Sequence, residues 1–162
     1  MSDMIKVGIS DMNTAKNGDV LVTYALGSCV GICLYDAVAK VAGLSHIMLP
    51  CSKGFSPVGK QEDKFADTAI VRLISQMERS GAKRLHMRAK IAGGAKMFAC
   101  INDSALSNIG ERNVIAVKAE LARQHIPILA EDTGKNYGRT QYFDSADGTM
   151  TIKSAIKGEW TY

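Results

Sequence analysis

From residue 20 onward the apolar residues follow two rhythms. Val20-Leu21-Val22-Thr23-Tyr24 is a β-branched and aromatic run, and Val30, Ile32 and Leu34 then alternate with Cys29, Gly31, Cys33 and Tyr35. A period of two sends successive side chains to opposite faces of a sheet, so this segment predicts a strand over 29–35 with Cys29 and Cys33 on one face. Residues 36–40 read as a turn into a return strand over 41–49, which Pro50 ends because it has no amide proton to give. The first 50 residues are therefore strand-rich and contain a hairpin. Over 50–62, Gly54, Pro57 and Gly59 break up a segment with no apolar period, which predicts a surface loop of the kind that often carries function.

The rhythm then changes. Phe65, Ala66, Ala69, Ile70, Leu73, Ile74 and Met77 recur at the spacing of one helix face, and Gly81 sits where a left-handed cap belongs, predicting a helix over 64–80. Leu85, Met87, Ala89 and Ile91 alternate with Arg84, His86, Arg88 and Lys90, which predicts a strand with one buried face and one basic face, ended by Gly93-Gly94. A second helix over 111–124 buries Val114, Val117 and Leu121, entered near Asn108 or Ile109-Gly110. Strands follow over 126–131, 141–144 and 149–154, the last two flanking the hairpin signal Asp147-Gly148, so the chain is expected to close with two antiparallel strands. Strands that do not alternate regularly with helices argue for an α+β fold of packed mixed or antiparallel sheets with two main outer helices.

Composition narrows the class. At 162 residues the chain has the size of one domain on a prior of roughly 100 to 200 residues each. With 46% apolar and 22% charged residues it can bury a core, and it lacks the signature of disorder. The longest apolar runs fall far short of the ~20 residues that span a bilayer, and Met1-Ser2-Asp3-Met4 has no basic region of a signal peptide. The reading is a soluble, unexported, cytoplasmic protein. A net charge of +4 from scattered Lys and Arg gives no nucleic-acid or membrane arm, and leaves mild attraction to an acidic partner. Such a chain is expected to keep its four cysteines, at 29, 33, 51 and 100, reduced.

No phosphate-loop, dinucleotide or zinc motif is present, so no metal or organic cofactor is expected. Gly93-Gly94-Ala95-Lys96 reads as a tight turn after a strand. What remains is thiol chemistry, which needs a cysteine, an imidazole, a group that orients the imidazole, and donors for an oxyanion. His86 and His125 read as surface residues. The strand carrying His46 should return beside the one carrying Cys29, within reach on a shared face, although buried filler is the commoner fate of either residue. Gly27, two positions before the thiol, suits a bent backbone with φ above zero that turns amides toward one point.

Leu26-Gly27-Ser28-Cys29-Val30, Cys33-Leu34-Tyr35-Asp36 and Gly43-Leu44-Ser45-His46-Ile47-Met48-Leu49-Pro50 resemble the signature of the chemoreceptor glutamine deamidases, the CheD family. The likeness continues in Gly93-Gly94-Ala95-Lys96-Met97-Phe98, Ile109-Gly110-Glu111-Arg112-Asn113, Ala130-Glu131-Asp132-Thr133-Gly134 and Asn136-Tyr137-Gly138-Arg139. It implies a catalytic Cys29, His46 and Thr23, with Thr23 holding the imidazole and backbone amides around Gly27, Ser28 and Cys29 serving the oxyanion. It further implies that residues 1–162 form a single deamidase domain, with a cysteine-hydrolase fold similar to that of cytotoxic necrotizing factor. The implied reaction converts glutamine side chains on the cytoplasmic domains of bacterial chemoreceptors to glutamate, with methyl-ester hydrolysis in some members. A CheC-type phosphatase is an implied partner in some bacteria. Competing readings are a binding module whose Cys29 is idle and a cysteine peptidase or acyltransferase of other specificity.

Overall fold

The computed structural model describes residues 2–97 and 108–162, and Phe98 and Cys100 lie outside them. The described strands are β1 (Met4–Lys6), β2 (Asp11–Ala15), β3 (Val20–Leu26), β4 (Val30–Asp36), β5 (Val41–Ile47), β6 (Met87–Gly93), β7 (Ile128–Thr133), β8 (Arg139–Asp144), β9 (Met150–Ser154) and β10 (Gly158–Thr161). Helix α1 (Ala66–Arg79) lies between β5 and β6, and α2 (Ile109–Arg123) precedes β7. The strands form two mixed five-stranded sheets, β1-β3-β8-β9-β10 and β2-β5-β4-β6-β7. The fold is α+β, as the pattern of elements predicts.

Strands β4 and β5 are buried at every position because their sheet is covered on both faces. On one face Val30, Ile32, Leu34, Val41 and Ile47 pack against Ala66, Ile70, Leu73 and Met77 of α1 and Val117 and Leu121 of α2. On the other, Cys33, Tyr35, Ala42 and Leu44 pack against Leu21, Phe143, Met150 and Ile152 of the first sheet. The alternation read from the sequence thus separates two interiors. The β4–β5 hairpin has the expected antiparallel pairing, and Asp36 holds its turn by accepting hydrogen bonds from the Val38 and Ala39 amides. The seven apolar positions expected on the first helix face are all buried, and Gly81, at φ 102°, ends the helix.

Several expectations change. Arg84–His86 is a 3-10 turn, and Leu85 is 83% exposed, so the buried alternation begins only at Met87. The basic row beside it is already engaged: Arg84 donates to the Gln124 carbonyl, Arg88 to those of Leu85 and Met87, and Lys90 to those of Gly148 and Tyr162. His86 lies 3.5 Å from the Asp36 carboxylate. The segment over 50–62 runs into a 3-10 turn at Gly59–Lys64. The residues before 20 supply β1 and β2, and β10 pairs with β9 as a third closing strand.

Candidate active site

The chain leaves the first sheet at Leu26 and enters the second at Val30, so Gly27, Ser28 and Cys29 form the corner between them. A register shift in the β3–β8 pairing between Thr23 and Leu26 marks a bulge just before this corner. The backbone with φ above zero is at Ala25, φ 59°, and not at Gly27 as expected. At Gly27 a Cβ would lie 3.1 Å from Met97 Cγ, a contact the exposed Met97 side chain relieves by a shift of a few tenths of an ångström. The bulge, rather than the glycine, bends the chain.

All three carbonyls of the corner are tied down. Gly27 accepts from the Ala95 amide at 2.9 Å and Cys29 from the Gly94 amide at 2.8 Å. Ser28 accepts from Asn113 Nδ2 at 2.9 Å. The Gly93-Gly94-Ala95 segment is therefore a brace for the Cys29 corner, and Gly93 must lack a side chain because a Cβ would lie 2.2 Å from the Cys29 carbonyl. Among the described residues, the Ser28 and Cys29 amides have no hydrogen-bond acceptor.

His46 faces Gly31 across the β4–β5 pair, and Cys29 is two residues before Gly31 on the same face. The imidazole is 2% exposed. Its Nδ1 lies 2.6 Å from Thr23 Oγ1, reaching across from one sheet to the other. Thr23 Oγ1 is also 2.8 Å from the Val7 carbonyl, which can only accept. The single hydroxyl proton goes to Val7, so Thr23 accepts from Nδ1–H and the lone pair of His46 is left on Nε2. Nε2 is buried and has no partner among the described residues. No hydrogen bond yet joins it to Cys29.

The geometry joins Thr23 to His46 and leaves Cys29 on the same side of the sheet without a bond to either. The family model for CheD, chemotactic sensory transduction, matches residues 48–154. A Clostridium novyi protein, a probable chemoreceptor glutamine deamidase CheD, is 48% identical over 96% of this chain and 96% of its own. The chain belongs to the CheD family. A CheD of the same description from Caldanaerobacter subterraneus is 51% identical over 97% of this chain and 96% of its own, and one from Clostridium botulinum is 51% identical over 95% and 94%. Among solved structures, the Bacillus licheniformis hypothetical protein YfiH aligns at a TM-score of 0.45 and 14% identity over 75% of this chain and 50% of that one. That likeness is too low to assign a fold.

Burial shifts both Cys29 and His46 toward their uncharged forms. It pushes the Cys29 thiol up from its ordinary value and pushes His46 down to about 4. Near neutral pH burial thus favours the uncharged form of both groups. Cys33 is buried with its thiol pushed well up, which suits core filler. Cys51 is exposed and free. His125 is exposed, after the last turn of α2, and His86 turns to Asp36.

Two polar residues of the site escaped the sequence reading. Asn113 is buried on the face of α2 that carries Val117 and Leu121, so a polar residue one turn before an apolar stripe was its signal. Gln141, fully buried and opposite Thr23 in β8, donates from Nε2 to the Gly31 carbonyl at 3.2 Å. Its Oε1 fills the space where a Gly31 side chain would stand.

Proposed function

We propose that this CheD-family chain deamidates glutamine side chains of chemoreceptor cytoplasmic domains through Cys29, His46 and Thr23, within a fold of the cytotoxic necrotizing factor type. The observation that carries the reading is the Val7–Thr23–His46 chain of hydrogen bonds, which presents an unprotonated Nε2 on the strand face shared with Cys29. When a glutamine carboxamide seats over the corner, Nε2 takes the thiol proton and Sγ bonds to the carboxamide carbon. The carbonyl electron pair moves to oxygen, where the Ser28 and Cys29 amides stand as donors. Collapse of that intermediate breaks the C–N bond, and His46 returns its proton to the leaving nitrogen as ammonia. Water, deprotonated by the same Nε2, cleaves the thioester to glutamate and restores the thiol. A glutamyl methyl ester would follow the same path and release methanol.

Mass spectrometry of a receptor cytoplasmic fragment tests this directly. Exchange of NH2 for OH adds about 1 Da at each modified glutamine, and the gain is expected with the native protein and absent with Cys29→Ala. A fragment left unchanged by the native protein would overturn the deamidase reading in favour of a binding module.

A further inference from the structure

We propose that Asn113 is a positioning residue of the Cys29 site, orienting the Cys29 amide as an oxyanion donor by holding the carbonyl of Ser28. The inference rests on the thioester reading above and assigns a residue to it. Asn113 lies inside α2, past its first turn, so it caps no helix end. Its side chain is fully buried, and Nδ2 donates at 2.9 Å to Ser28 and at 2.9 Å to Met48. These acceptors lie 85 and 65 residues away in the chain. One precedes the thiol directly, and the other follows His46 by two positions at the end of β5. A single amide group thus ties the nucleophile corner to the strand of the base.

The consequence follows from peptide geometry. The Ser28 carbonyl and the Cys29 N–H belong to one trans peptide plane and point in opposite directions. Fixing the carbonyl on Asn113 therefore fixes the N–H on the far side, away from α2. The neighbouring plane is set in the same way, because the Gly27 carbonyl is held by the Ala95 amide and the Ser28 N–H points opposite to it. Both amides are without acceptors among the described residues. An amide buried solely for packing would be poorly chosen, since an apolar residue fills such a position without desolvating a polar group. Asn113 Oδ1 has no partner among the described residues, so the side chain bears that cost.

The test compares two reactions of the same thiol. Acylation by p-nitrophenyl acetate passes through an oxyanion, whereas alkylation by iodoacetamide displaces iodide and forms none. Asn113→Ala is expected to slow acylation of Cys29 at least about tenfold, a fraction of the 10²–10³ seen when an oxyanion donor is removed outright, while alkylation changes less than about threefold. Val117→Ala, one turn further along the same helix face and apolar, so without a hydrogen bond to the corner, should leave the ratio of the two rates at the native value. Asn113→Ser, which keeps a single donor, gives an intermediate ratio and serves if the alanine variant does not fold. Equal changes in both rates, or acylation unchanged, would overturn the proposal. Neither probe is a glutamine, so native protein that acylates normally but fails to deamidate a receptor fragment would sink the substrate assignment and leave the role of Asn113 standing.

Discussion

Thr23 decides which nitrogen of His46 is basic. With the Thr23 hydroxyl proton committed to Val7, the imidazole has one tautomer available, the one with its lone pair on Nε2. Thr23→Val keeps the volume and removes the acceptor, and should lower kcat for ammonia release by about 10- to 100-fold, while Thr23→Ser stays within a few-fold of native. Equal activity in the valine variant would show that the tautomer is set elsewhere. The same imidazole couples stability to acid. Its pKa falls from 6.5 to about 4 on folding, so between those values the unfolded chain binds more protons than the native one. This contribution is intact above pH 6.5 and is lost as pH falls to about 4, amounting to about 3 kcal/mol. Urea unfolding from pH 7 to 4 should show that loss in the native protein and a correspondingly shallower one in His46→Gln. At this scale the sequence placed His46 on the strand that returns beside the one Cys29 leads into, because the two strands form one hairpin. Thr23 could be placed only by family resemblance, since it arrives from the other sheet and no local period reports that pairing.

Elements with strong periods and clear ends were legible: α1 from its apolar face and Gly81, and the hairpins from Asp36 and from Asp147-Gly148. Short pieces were not. β1 spans three residues and pairs with β3, far from it in sequence, so its register rests on tertiary context. The basic row failed for a related reason, because Lys83 donates its amide to Asp36 and turns the chain before the strand begins. The brace at Gly93-Gly94 looked like an ordinary turn because its role depends on what lies opposite. That role is testable by paired glycine substitutions. Gly93→Ala places a Cβ against the Cys29 carbonyl at φ 107°, and relief requires backbone movement, so a cost above about 3 kcal/mol is expected together with loss of activity. Gly54→Ala has φ 89° but open space around it, and should cost about 1–2 kcal/mol with activity retained. Thermal unfolding and ammonia release on both variants check the contrast. Similar losses at the two glycines would mean that backbone strain, not the brace, controls the corner.

At the level of the molecule, the site exists because two sheets meet at a fixed offset, and apolar packing alone leaves that offset loosely specified. Polar ties cross between the sheets at separate places. One is Thr23 with His46. Another joins Asp132 of β7 to Arg139 of β8, whose guanidinium is fully buried and donates to the carboxylate at 2.8 Å. Trp160 of β10 and Tyr162 after it donate to the same carboxylate, so the last residues of the chain are bound into the tie. Arg139 lies opposite Leu26 in the β3–β8 pairing, next to the Cys29 corner, so this tie and the corner share a strand end. Membership of a strand in one sheet or the other is invisible to periodicity, which is why the sequence predicted packed sheets without saying where they join. A buried ion pair contributes little by replacing water but strands a charge when halved. Asp132→Leu and Arg139→Met should therefore each destabilise the protein by about 3–5 kcal/mol in urea unfolding. The double variant should fall short of the sum by more than about 1 kcal/mol, because it leaves no unpaired charge behind. Additive losses would show that the two residues act independently and that the offset of the sheets is held by the apolar interior between them.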